Sequence, residues 1–325
     1  IEATSSESSI HNSLEVCMKA FYKNNNGLIS IKDWQPNCWI NIENPTEDEK
    51  KYLFDELQIP QAFFNDINDI DERPRIEIEN DWHLIIFRIP VVSEDVKIPF
   101  YTIPVGIVFK DEICVTISFH KNEVLSDFVN YTQRKKSDVK DNFDLTLKLL
   151  LSSSVWYLKY LKQVNQKIKL AEDNLEKSIK NEELQALLQI EKCFVFFITS
   201  LKANDVLFQR IKNLKAHKAN YDPELLEDVE IELNQAQDTA NIYNNILTGM
   251  MDAYASVISN NMNNIMKQMT SISIILMIPT LIASLYGMNV PNGLEESKYG
   301  IWILLLVSII LSTFGVFLFK RRRWF

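Results

Sequence analysis

Three residues, Gly287-Met288-Asn289, lie near the join of two uncharged runs, residues 268–294 and 299–319. Each run is long enough to cross a bilayer, which takes about 20 apolar residues. The tripeptide therefore falls where membrane meets water. A ring of asparagine amides at such a place suits an ion that keeps its own hydration shell.

Further residues line up behind the tripeptide. Asn263, Met266, Met269, Ser273, Met277, Thr280, Ser284 and Gly287 recur at spacings of three or four, which is one face of a helix. Asp252 stands eleven residues before Asn263, about three turns, so it shares that face, with Ser256 and Ser259 between them. The inner half of the stripe carries methionines around Ser273, and the outer half is small and polar. Two spans per chain cannot enclose a pore, so the stripe lines one only in an oligomer. There it predicts a narrow polar mouth above a methionine constriction, and hydrophobic constrictions can gate by dewetting. The competing reading is packing, since small residues in membrane helices usually let neighbours approach closely.

The element that must carry this stripe starts far away. Asp222-Pro223 is a strong helix start, an N-cap followed by proline at the first helical position. Nothing stops the helix before Gly287, and Gly249 and Pro279 are its only weak points. Such a rod is roughly 100 Å long at about 1.5 Å per residue. From Ala219 to Met266 it has no Lys or Arg, yet it carries Asp222, Glu224, Glu227, Asp228, Glu230, Glu232, Asp238 and Asp252. Stalks of this kind repel one another unless cations sit between them; otherwise the run is a solvated acidic face.

Lys320-Arg321-Arg322-Arg323 follows the second span directly, and positive residues stay on the cytoplasmic side. Two spans then put both termini in the cytoplasm of a two-pass protein of the cell (inner) membrane. The connecting loop faces outward and carries Glu295 and Glu296, which attract cations. Trp302 and Trp324 fit interfacial belts at opposite ends of the second span.

The rest of the chain has the composition of a water-soluble protein, with 24% charged residues and mean hydropathy −0.09. A net charge of −9 argues against a nucleic-acid partner, whose backbone needs clustered Lys and Arg. The four cysteines, Cys17, Cys38, Cys114 and Cys193, form no CxxC pair and read as small hydrophobes in a reducing compartment. No signal peptide is visible at the start, and Ile1–Ser9 has no apolar core.

Seven of the ten prolines lie between Pro36 and Pro104, a region of short elements and turns. Trp39–Ile42, His83–Pro90, Val105–Phe109 and Glu112–Ser118 read as strands, the last two joined by a turn at Lys110-Asp111. Thr46–Leu57 and Gln61–Ile67 read as helices, with Thr46 and Glu49 forming a capping box. From about residue 143 the apolar spacing turns helical and predicts long antiparallel helices over 143–180 and 181–217. The expected architecture is an α/β cytoplasmic domain (1–140), a helical and stalk region (141–265) and a two-helix transmembrane domain with a basic tail (266–325).

Tyr286-Gly287-Met288-Asn289 resembles the signature of the CorA family of divalent-cation channels, best known for magnesium. Met251–Asn260 resembles the family's stalk segment, Met277-Ile-Pro-Thr280 its mid-span proline motif, and Phe319–Phe325 its basic tail. Asp66-Ile67 with Glu72-Arg-Pro-Arg-Ile-Glu77 resembles the motif of its cytoplasmic domain. The outer loop, Val290–Gly300, departs from the family's Met-Pro-Glu-Leu pattern. Lysines interrupt the acidic region around Glu172–Glu183.

The resemblance implies a homopentameric funnel in the lipid bilayer, with the first span lining the pore. Carried over, Gly287, Met288 and Asn289 form the selectivity filter for hydrated Mg²⁺, and Thr280 offers a hydroxyl ring. Ser284 is a small residue between them. Asn263 rings the cytoplasmic exit, and Met266, Met269 and Met277 form the gate with Ser273 among them. Asp252 concentrates ions in the inner vestibule. It also implies regulatory Mg²⁺ held between neighbouring subunits by Asp66 and Asp228, with Asn65 where a second carboxylate often stands.

Mg²⁺ sheds water reluctantly. Neutral oxygens can bind its waters without holding the ion too tightly to leave. Two other readings compete with Mg²⁺ transport: a Zn²⁺, Co²⁺ or Ni²⁺ transporter on the same scaffold, and a membrane-anchored coiled-coil scaffold that conducts nothing. An enzyme is not expected, for want of a nucleophile elbow or phosphate loop.

Overall fold

A computed structural model describes residues 18–93, 98–177, 181–214, 222–288, 293 and 298–322. Residues group by contact into two units, 1–247 and 248–325.

The first unit is built on a seven-stranded sheet. Its strands are β1 (Met18–Asn24), β2 (Leu28–Ile31), β3 (Trp39–Glu43), β4 (Arg75–Glu79), β5 (Trp82–Val92), β6 (Phe100–Lys110) and β7 (Ile113–Ser118), in the order β2-β1-β3-β7-β6-β5-β4. All pairs are antiparallel except β3 with β7. That parallel pair is the one whose connection must cross over, and it does so through two short helices and three strands.

β5 and β6 are buried along most of their length on both faces, which explains their near-continuous apolar sequences. One face packs on α1 (Glu47–Lys51) and α2 (Gln61–Asn68) through Ile40, Ile42, Leu53, Phe63, Ile67, Leu84 and Val108. Gly106 is required there: a Cβ would lie 2.2 Å from the Ile67 side chain. The opposite face meets α4 (Asn142–Lys177) and α5 (Asn181–Lys212), where His83 and Phe109 pack against Phe143, and Phe100 stacks on Tyr160. α3 (Glu123–Lys135) starts on Asn122, whose side chain accepts from the Leu125 N–H.

The expected capping box is present: the Thr46 hydroxyl accepts from the Glu49 N–H, and the Glu49 carboxylate accepts from the Thr46 N–H. The helix expected over 46–57 is, however, α1 followed by a π-helical turn, Tyr52–Glu56, and the hairpin turn falls at Asp111-Glu112 because β6 runs on through Lys110. α4 and α5 are antiparallel, with Asn174 bonded to Glu183 and Tyr157 packed on Phe197. They end at Lys177 and Lys212; residues 178–180 and 215–221 lie outside the described ones.

α6 (Pro223–Tyr286) begins where Asp222-Pro223 predicts, with the Asp222 carboxylate accepting from the Glu224 N–H at 3.1 Å. In the first unit it buries Val229, Leu233, Ala236 and Ala240, and Lys212 on α5 pairs with Glu230 at 2.6 Å. In the second unit its C-terminal part packs with α7 (Gly300–Arg321).

By length and composition three helices among the described residues could cross a membrane: residues 182–212 of α5, α6 and α7. The protein itself buries 39% of the apolar window of α5, against 6% for α6 and 0% for α7. Part of the apolar surface of α5 is thus covered by the sheet and α4, and almost none of that of the last two helices is.

Candidate pore face and cation-binding residues

The C-terminal half of α6 has two distinct faces. Ser271, Ile275, Ile278, Pro279, Ile282 and Tyr286 are buried or half-buried. They meet a similarly spaced row on α7, namely Leu304, Ser308, Ser312, Gly315 and Phe319. Gly315 permits close approach, since a Cβ there would lie 3.6 Å from Ile278 and 3.7 Å from Ile275. At about 100° per residue, Met266, Met269, Ser273, Met277, Thr280 and Ser284 are centred roughly opposite that row. The stripe therefore points away from the chain's own second helix.

All of these stripe residues are exposed, as are Asp252, Asn263, Gly287 and Met288. Met266, Met269 and Met277 keep 59%, 66% and 65% of their surface.

The polar members have suitable chemistry for a hydrated cation. Water bound to a cation donates hydrogen bonds, so its ligands must accept. The Thr280 hydroxyl donates its proton to the Leu276 carbonyl at 3.0 Å, which leaves its oxygen free to accept. α6 ends as the Gly287 N–H donates to the Ala283 carbonyl at 2.9 Å. A side chain at Gly287 would crowd that carbonyl at 3.3 Å. Asn289, Glu295 and Glu296 lie outside the described residues, as do Arg323 and Trp324.

Asp66 sits on α2, beside exposed Asn65, and meets Arg75 at the start of β4 at 2.7 Å. The same guanidinium contacts Glu72 and, through Nε, Glu77 at 3.1 Å. Partial burial pushes the Asp66 carboxyl up; Arg75 opposes that, and Glu72 and Glu77 reinforce it. Sequence reading missed the role of Arg75. The signal was the strict alternation Arg-Ile-Glu-Ile-Glu, which puts Arg75 and Glu77 on one face of a strand.

Asp228 is exposed on α6 beside a cavity of about 450 Å³, lined also by Asp127, Lys148, Trp156 and Glu232. Among the described residues, no cluster of three or more acidic, His or Cys side chains in one chain could hold a metal.

A half-buried polar hub lies nearby that sequence reading did not find. Arg88 on β5 donates to the carbonyls of Ile70 and Glu72 at 2.7 and 2.8 Å and to the Thr102 carbonyl at 2.7 Å. It thereby fixes the segment between Asp66 and Arg75 on the sheet. Its spacing in the sequence offered no such signal.

Residues 34–321 match the model of a family described as CorA-like Mg²⁺ transporter protein. The chain is similar to the cobalt/magnesium transport protein CorA of Methanocaldococcus jannaschii, 27% identical over 91% of this chain and 93% of the relative. Its similarity to the cobalt/magnesium transport protein CorA of Thermotoga maritima is 23% over 91% and 86%. The fold resembles the complete structure of the CorA magnesium transporter from Methanocaldococcus jannaschii, with a TM-score of 0.78 at 24% identity over 94% of this chain and 98% of that one.

Proposed function

The chain belongs to the family of CorA-like Mg²⁺ transporter proteins, and we propose that it admits hydrated Mg²⁺ down its electrochemical gradient through a homopentameric pore lined by α6. One observation carries this reading: the polar and methionine stripe occupies the face of α6 turned away from α7. A span that packs its partner on one side and presents Asn263, Thr280 and Ser284 on the other needs further copies of itself to cover that row. Five copies turn it into a lined channel.

In that channel Gly287, Met288 and Asn289 form the outer filter, with Glu295 and Glu296 drawing cations towards it. Oxygens of Asn289 and Thr280 accept from the ion's own waters, so the ion enters without dehydration. Met266, Met269 and Met277 form the apolar gate, with Ser273 a wetter level within it, and Asn263 and Asp252 line the inner exit. Inward flow is driven by the membrane potential: two charges crossing 100 mV release about 4.6 kcal/mol. Lys320, Arg321 and Arg322 hold the C-terminus in the cytoplasm, which places the sheet-bearing unit there too. The transmembrane part begins at about residue 266.

Asp66 of one subunit and Asp228 of its neighbour would hold regulatory Mg²⁺, which offsets their repulsion and favours the closed ring. The named relatives transport cobalt as well as magnesium, so Co²⁺ is the cargo to test in competition. Purified protein in liposomes is expected to take up Mg²⁺ down a gradient. Asn289→Ala is expected to abolish uptake while the oligomer keeps its size on gel filtration. Unchanged uptake in that variant would refute the pore assignment.

A further inference from the structure

Several hydroxyls of the two C-terminal helices bond to their own backbone. Ser256, Ser271, Thr280 and Thr313 each donate to the carbonyl four residues back in their own helix, at 2.7–3.1 Å. Ser312 does not: its Oγ is buried and has no hydrogen-bond partner. It lines a cavity of about 570 Å³ between α6 and α7, and Pro279 lines the same cavity.

Pro279 lies inside α6 and has no N–H to offer the Ile275 carbonyl. Ile275 and Pro279 are both half-buried on the α7-facing side, and the Ile275 side chain lies against Gly315, one turn beyond Ser312 on α7. Ser312 thus lies on the side of α7 turned to α6, one turn from the glycine that packs on Ile275, whose carbonyl lacks its backbone donor. Neither group has water to turn to in a hydrocarbon environment, and nearby Ser or Thr side chains are a common means of serving a carbonyl that proline has freed.

We propose that Ser312 is a positioning residue for the ion path: its hydroxyl is the donor for the Ile275 carbonyl when α6 bends at Pro279. The bond is open in the conformation seen here and closes when the cavity narrows. Pro279 falls between Met277 and Thr280, so the bond sets the angle between the methionine and hydroxyl levels of the stripe. Only its effect on flux rests on α6 lining the pore.

The test is a double-mutant cycle on the full chain. Ser312→Ala is expected to change initial Mg²⁺ uptake into liposomes by about three- to tenfold, the range set by one hydrogen bond. Ser312→Thr, which keeps the hydroxyl, is expected to stay within about twofold of the parent. In a Pro279→Ala background the Ile275 carbonyl regains a backbone donor, and Ser312→Ala is expected to lose its effect. An equal effect of Ser312→Ala in both backgrounds, or none in the parent, overturns the proposal. The same cycle read by thermal unfolding in detergent micelles is expected to show the same coupling without any conduction. If the parent chain admits no Mg²⁺, the pore reading fails while unfolding still decides the bond; additive unfolding effects overturn it.

Discussion

Asp66 meets a cation inside its own chain. Arg75 reaches it at 2.7 Å and also contacts Glu72 and Glu77, so one guanidinium serves three carboxylates. If Asp66 holds regulatory Mg²⁺ as proposed, that ion must compete with the guanidinium, and a charge pair that is partly exposed to solvent is worth about 1 kcal/mol or less. Arg75→Met is therefore expected to lower the internal Mg²⁺ concentration that half-inhibits uptake, by roughly threefold on the same scale. Uptake measured against a series of internal Mg²⁺ concentrations checks this, and a higher half-inhibiting concentration would show that Arg75 holds the site together. Asp228 has no such ion pair among the described residues.

At the scale of elements, Asn204 does the work of a missing strand. β4 covers β5 only as far as the Arg75–Ile86 pair. Two residues on, at Arg88, the ladder continues through a side chain from α5: Asn204 Oδ1 accepts from the Arg88 N–H at 2.9 Å, and Nδ2 donates to the Arg88 carbonyl at 2.7 Å. Asn204 is 1% exposed, so neither backbone group has water as a substitute. Asn204→Leu leaves the Arg88 N–H unpaired, while the Arg88 carbonyl still accepts from the Ser153 and Tyr157 hydroxyls at 3.3 and 3.2 Å, so the expected cost is about 1–3 kcal/mol. Chemical unfolding of the detergent-solubilised chain gives that value, and a loss below 1 kcal/mol would mean that the ladder closes another way. Contacts of this kind are invisible in sequence because they join residues 116 positions apart. Local signals were legible: Thr46 with Glu49, Asp222 with Pro223, and the buried strands β5 and β6. β4 and α3 also left signals, in the alternation from Arg75 to Glu79 and in Asn122 ahead of Val124, Leu125, Phe128 and Val129, which reading for turns and motifs passed over. The sheet order could not be read, since nothing local pairs β3 with β7. The stripe was legible because one helix carries it at a fixed period; the α7 row opposite it became evident only from packing.

For the whole molecule, α6 matters because one unbroken helix belongs to both units. Asp228 lies in the part that packs with the first unit, and the stripe lies in the second, with the division at residues 247 and 248. Gly249 falls beside that division, and a Cβ there would meet nothing within 4 Å. Glycine inside a helix costs about 1 kcal/mol relative to alanine, so this is where α6 is softest before Pro279. If regulatory Mg²⁺ acts by holding Asp228 against a neighbouring subunit, its release must be felt along this helix. Asp228→Ala is then expected to leave uptake markedly less inhibited by internal Mg²⁺. Asp66→Ala should have a smaller effect, because Arg75 already competes for that carboxylate. Both variants should retain full uptake at low internal Mg²⁺, since neither residue lies on the stripe. Titrating internal Mg²⁺ in liposomes separates the outcomes: parental inhibition in Asp228→Ala removes that residue from regulation, whereas loss of uptake at every concentration means that the substitution has damaged the helix and not its control.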